Sequence, residues 1–220
     1  MDRNEIIKKI EDTKVISIIR GIKAEDAVKA AKALYDGGVE LVEVTFDQRS
    51  SENFFSTAEA IRDIKAEMGE RMVVGAGTVL TEEQLLIAKN AGAQFIVSPD
   101  TNENIIKKTV EFDMVSLPGA FTPTEAIVAH NAGADFVKLF PCVGDAVQYL
   151  KALRAPCSHI KFLAVGGVSV DNVADFITAG ACGVGVGSCL VNKKWVEIGE
   201  FSKITATAKQ LIKNIKSAEA

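Results

Sequence analysis

Short apolar runs alternate with amphipathic stretches from one end of the chain to the other. Residues 15–19, Val-Ile-Ser-Ile-Ile, form the first run, which ends at Arg20-Gly21 and predicts a strand. After it, Ala27, Val28, Ala31, Leu34 and Tyr35 recur at the spacing of one helix face, and that helix stops at Gly37-Gly38. The same alternation predicts strands over residues 40–46, 72–76, 94–98, 114–117, 136–140, 161–165 and 182–186. Between and after them, helices are predicted over 51–68, from Thr81, over 102–110, from Thr122, and over 146–153, 171–178 and 196–215. Two of these starts carry a capping box, Thr81-Glu82-Glu83-Gln84 and Thr122-Pro123-Thr124-Glu125, the second with proline at the first helical position. Met1 to Glu5 open a charged amphipathic segment, which is not the pattern of a signal peptide.

A repeat underlies this order. Gly37-Gly38-Val39-Glu40, Ala91-Gly92-Ala93-Gln94, Ala132-Gly133-Ala134-Asp135 and Ala179-Gly180-Ala181-Cys182 each end a helix and begin a strand. Eight strand–helix units in 220 residues with no linker predict an α/β fold, a (β/α)8 TIM barrel with residues 1–220 as one domain. An open doubly wound sheet would call for a dinucleotide loop after the first strand, and Arg20-Gly21-Ile22-Lys23 is not one.

Composition narrows the function. With 48% hydrophobic and 25% charged residues the chain is ordinary globular material, and a net charge of −4 without a basic block argues against a nucleic-acid surface. No apolar run approaches the roughly 20 residues that cross a bilayer, so no membrane partner is expected and the expected place is the cytoplasm. The four cysteines form no CxxC pair and there are only two histidines, so neither a metal site nor a disulfide framework is expected.

One strand carries an anomaly. Lys138 sits within Phe136-Val137-Lys138-Leu139-Phe140-Pro141 and shares a strand face with Phe136 and Phe140. A buried lysine loses its charge readily and becomes a nucleophilic amine able to form a Schiff base; the alternative is a strand-edge lysine that snorkels into water. Glu43 is likewise a carboxylate inside an apolar strand, on the face of Leu41 and Thr45. Schiff-base chemistry needs such a proton carrier, whereas a plain buried ion pair is the other reading. Gly166-Gly167 and Gly187-Ser188, after the last two strands, have the make-up of a phosphate cradle. Thr78, after Gly75-Ala76-Gly77, offers a hydroxyl, and Arg20 ends the first strand either as an anion fork or as a surface arginine.

Taken in order, residues 42–45 (VEVT), 74–79 (VGAGTV), 95–99 (FIVSP), 117–125 (LPGAFTPTE), 137–141 (VKLFP), 165–168 (VGGV) and 185–188 (GVGS) resemble the 2-keto-3-deoxy-6-phosphogluconate / 4-hydroxy-2-oxoglutarate aldolase family. The resemblance spans residues 13–215 and implies a class I lyase that needs no cofactor or metal. It implies a Schiff base between pyruvate and Lys138, Glu43 as acid and base, and a homotrimer acting on a small phosphorylated keto acid. It further implies that Arg20, Thr45, Thr78 and Pro118 line the substrate and that Gly166, Gly167, Gly187 and Ser188 hold its phosphate. Two positions depart from the family's usual pattern: Asp47 stands where arginine is common, and Val165 where threonine is common. Both bear on which sugar acid is preferred. A sugar-phosphate epimerase or isomerase on the same barrel, and a non-catalytic sugar-phosphate sensor, are the rival readings.

Overall fold

The computed structural model describes residues 1–219. Each predicted strand is present: β1 (Val15–Ile19), β2 (Leu41–Thr45), β3 (Val73–Gly77), β4 (Phe95–Val97), β5 (Val115–Leu117), β6 (Gly119–Ala120), β7 (Val137–Leu139), β8 (Phe162–Val165) and β9 (Gly183–Val186). Neighbours are parallel throughout, in the order β5-β4-β3-β2-β1-β9-β8-β7-β6. The sequence predicts eight strands and the structure has nine segments: the predicted fifth strand, 114–117, is followed beyond Pro118 by the two-residue β6, which the sequence reading did not include. Proline has no N–H for the ladder; on its two sides the β5 ladder runs to β4 and the β6 ladder to β7, and the Ser116 carbonyl of β5 also accepts the Phe136 N–H just before β7. The Pro118 carbonyl still accepts the N–H of Lys138 at 2.8 Å. The two ends of the sheet are therefore consecutive in the chain, and the sheet closes into a TIM-type barrel of eight staves.

Eight helices follow the strands around the outside: α2 (Ala24–Asp36), α3 (Asn53–Met68), α4 (Glu82–Ala91), α5 (Glu103–Glu111), α6 (Pro123–Asn131), α7 (Ala146–Arg154), α8 (Val173–Thr178) and α10 (Phe201–Glu219). The helix predicted over 196–215 is in fact two, since the short α9 (Lys193–Glu197) stops before Gly199, whose φ of +75° leaves the helical region. The N-terminal segment is also a helix, α1 (Arg3–Thr13), which the sequence showed only as charged and amphipathic. Its capping box joins the Asp2 side chain to the Glu5 N–H and the Glu5 carboxylate to the Asp2 N–H.

Side-chain alternation divides the apolar residues into two cores. One lies between sheet and helices and takes Val42, Val44, Val74 and Ala76. The other fills the barrel with Ile16, Leu41, Val73, Phe95, Val115, Phe136 and Leu163, mostly from the first residues of the strands. Ile6 and Ile10 of α1 join this inner core and so plug the N-terminal end of the barrel. Arg3 fixes the plug through Asp135 at 2.7 Å, and Asp135 also accepts the Ser116 N–H at 2.9 Å.

Candidate active site

With the lower barrel packed and plugged, the inward-facing charged side chains of β2 and β7 stand toward the C-terminal ends of the strands. The inner face of β2 reads Leu41, Glu43, Thr45, and that of β7 continues from Phe136 to Lys138 and Phe140. Glu43 and Lys138 therefore stand directly above the apolar core. Lys138 is 5% exposed and Glu43 3%, which excludes the snorkelling reading of the lysine. The Lys138 Nζ lies 4.5 Å from the centroid of the Phe140 ring. Glu43 fits because β3 carries glycine both at its register partner, Gly75, and at Gly77, where a Cβ would stand 2.5 Å from Glu43 Oε1.

Burial sets the protonation of both groups. It pushes the Lys138 amine below its usual range; Glu43 opposes this and the Arg20 guanidinium adds to it. It pushes Glu43 above the usual carboxylate range, against the pull of Lys138 and then of Arg20. An amine held toward its neutral form can attack a carbonyl, and a carboxyl held toward its protonated form can supply and recover a proton beside it.

A cavity of about 1070 Å³ opens at the ends of β1, β2 and β3 and extends along α3 to Glu59 and Asp63; Arg20, Thr45, Thr78, Asp47 and Lys193 are among its lining, whereas Glu43 and Lys138 are not. Arg20 Nη2 is 3.4 Å from Thr78 Oγ1, and Thr45 Oγ1 is 3.5 Å from the Ile19 carbonyl. Asp47 lies on the cavity rim with its charge already taken: Arg49 donates to both carboxylate oxygens, at 2.9 and 3.0 Å, and holds its pKa down at about 2. Pro118 adjoins Lys138 through its carbonyl. Gly166, Gly167, Gly187 and Ser188 do not line this cavity. They lie on the same end of the barrel, after β8 and β9, with Gly166 and Gly167 at φ of +84° and +87°. A Cβ at Gly167 would meet the Cys142 carbonyl at 2.2 Å, which rules a side chain out there, and one at Gly166 would press on the Phe140 ring at 3.1 Å in a backbone conformation that strains any side chain. Among the described residues, no backbone carbonyl accepts the N–H groups of Gly166, Gly167, Gly187 or Ser188.

The family model for KDPG and KHG aldolase matches residues 6–207. The chain belongs to that aldolase family. Among relatives, it is 38% identical to the 2-dehydro-3-deoxy-6-phosphogalactonate aldolase of Escherichia coli, over 80% of this chain and 83% of the relative. It is 34% identical to the 2-dehydro-3-deoxy-phosphogluconate aldolase of Treponema pallidum, over 94% and 96%. The KDPG aldolase of Legionella pneumophila, solved with pyruvate captured as a covalent carbinolamine, superposes with a TM-score of 0.82 at 25% identity, covering 96% of this chain and 98% of that one. KDPG and KHG aldolases are lyases, so the chain is an enzyme of the lyase class, and the Schiff-base mode of the family accords with its buried lysine.

Two residues of the site were not legible as such in the sequence. Gln48, in the loop after β2, donates to the Thr78 carbonyl at 2.8 Å, and Gln84, singled out only as a cap of α4, donates to Gln48 Oε1 at 2.8 Å.

Proposed function

We propose that this enzyme cleaves 2-dehydro-3-deoxy-6-phosphogluconate to pyruvate and glyceraldehyde 3-phosphate, in sugar-acid breakdown of the Entner–Doudoroff type. The observation that carries the reading is the buried Lys138 beside the buried Glu43 in a chain of this family. The Lys138 amine adds to the C2 ketone, and Glu43 gives the proton with which the carbinolamine oxygen leaves as water. The Glu43 carboxylate so formed takes the proton of the C4 hydroxyl. The C3–C4 bond then breaks, its electrons pass to the iminium, and glyceraldehyde 3-phosphate departs. Protonation of the enamine at C3 and hydrolysis release pyruvate and restore the amine. Thr45, Thr78, Arg20 and Pro118 border the pyruvyl end, and the N–H groups of Gly166, Gly167, Gly187 and Ser188 receive the phosphate. No metal takes part, the active form is a cytoplasmic homotrimer, and 4-hydroxy-2-oxoglutarate is a slower substrate.

The C4 epimer, the galactonate acid, is a second reading, supported by the 38% identity to the E. coli enzyme of that name. Steady-state cleavage of the three keto acids, with and without EDTA, tests the whole. The reading requires turnover of a phosphorylated six-carbon acid unaffected by EDTA. Turnover of none of them, or activity lost to EDTA and restored by a metal, would refute it.

A further inference from the structure

Three non-glycine residues have positive φ: Lys14, Asp113 and Thr78. Lys14 is the C-cap of α1, and Asp113 follows the end of α5, where the left-handed conformation is the ordinary way for a helix to stop. Thr78, at φ +58°, ends no helix, and it is β-branched, the side-chain type that most resists this conformation. Such a backbone persists only where its surroundings hold it.

What holds it is a chain of amides. The Gln84 side chain is fully buried, and its Oε1 accepts the N–H groups of Leu80 and Thr81 at 2.7 and 3.3 Å. Its Nε2 donates to Gln48 Oε1 at 2.8 Å, and Gln48 Nε2 donates to the Thr78 carbonyl at 2.8 Å. Every member has one orientation in which all its bonds are made, so the start of α4 is tied to the backbone of Thr78. The result turns Thr78 Oγ1 toward the Arg20 guanidinium at the cavity.

We propose that Gln84 and Gln48 are positioning residues: a two-amide relay that holds Thr78 in its left-handed conformation and so aims its hydroxyl at the bound keto acid. The inference rests on the proposed aldolase reading for the identity of that ligand. Gln84 is buried and stands outside the cavity lining, whereas Gln48 is exposed at the cavity with its amide turned to Thr78 and Gln84.

The relay depends on the direction of its donors, and this gives the test. Gln48→Glu keeps the acceptor for Gln84 but sets a carboxylate oxygen against the Thr78 carbonyl. Gln84→Glu keeps the cap of α4 but presents an acceptor to Gln48, which must turn its amide round and release Thr78. The measurement is the pyruvate concentration that half-saturates borohydride trapping, together with KM and kcat for cleavage and the melting temperature. For each variant, half-saturation and KM are expected to rise about tenfold, with kcat changed less than threefold and no large loss of melting temperature. Thr78→Ala should show the same weakening, and Gln48→Glu added to Thr78→Ala should weaken pyruvate no further, because the two act through one hydroxyl. Unchanged half-saturation in both glutamate variants, or losses that multiply in the double variant, overturn the relay. If wild type itself traps no pyruvate, it is the aldolase reading that fails, and that control is run first.

Discussion

Replacing Gly77 with alanine should damage turnover far more than it damages the fold. The new Cβ would lie 2.5 Å from Glu43 Oε1, 2.8 Å from Glu43 Cδ and 3.1 Å from Thr45 Cγ2. To regain an ordinary contact the carboxyl must withdraw by about 1 Å. A displacement of that size in a reacting group costs on the order of 100-fold in rate. The stability cost of overpacking is about 1–3 kcal/mol and falls at the lower end here, because the opposing atom is the tip of a side chain. Gly75→Ala is the comparison: Gly75 is the register partner of Glu43 on β3, but its Cβ would meet the Phe95 ring, at 2.3 Å, rather than the Glu43 carboxyl. It should lose stability and keep most of the turnover of whatever folds. Urea unfolding and kcat/KM for cleavage, measured on both variants, separate the two effects. A folded Gly77→Ala enzyme with near-wild-type kcat would show that the placement of Glu43 does not matter to the reaction.

Two further outcomes follow from the same geometry. Ser188→Ala should weaken phosphorylated substrates about tenfold or more and 4-hydroxy-2-oxoglutarate little, since one hydrogen bond to a charged group contributes roughly 1.5–3 kcal/mol; equal losses on both, from kcat/KM, would place the phosphate elsewhere. On a Glu43→Gln background, Lys138→Met should raise the melting temperature, and the gain should be fully present below the folded pKa of Lys138 and shrink as pH rises toward the unfolded value near 10.5. Burial holds the folded amine below its unfolded pKa, so between those two values the unfolded chain binds the extra proton and the lysine-containing protein gains stability as pH rises. A melting-temperature difference that does not vary with pH would mean that the amine is not depressed.

The barrel was legible because each strand is a short apolar run closed by glycine, proline or a polar cap, and because the helix-ending glycines recur. What stayed hidden depends on single bonds and on contacts with the rest of the chain. α1 buries only Ile6 and Ile10 among eleven residues, too sparse a stripe to stand out within its charges. The break between α9 and α10 rests on one glycine in a polar stretch, and β6, beyond Pro118, is only two residues long. In the site, Lys138 and Glu43 were conspicuous because a charge in an apolar strand demands an explanation. Gln48 was not, since a glutamine in a polar loop looks like any surface residue. The left-handed backbone of Thr78 was hidden by its own side chain, a type that argues against that conformation. Asp47 illustrates a different limit: its place at the mouth was readable, but its pairing with Arg49, two residues away, leaves less of its charge to face a ligand.

The central claim is that Lys138 is the amine that bonds to substrate. Saturating pyruvate with sodium borohydride, followed by intact-mass measurement and peptide mapping, tests it most directly. The account predicts one reduced pyruvyl adduct per chain, on the peptide that carries Lys138, formed equally in EDTA and absent from Lys138→Met. An adduct on another lysine, or none at saturating pyruvate, would contradict it.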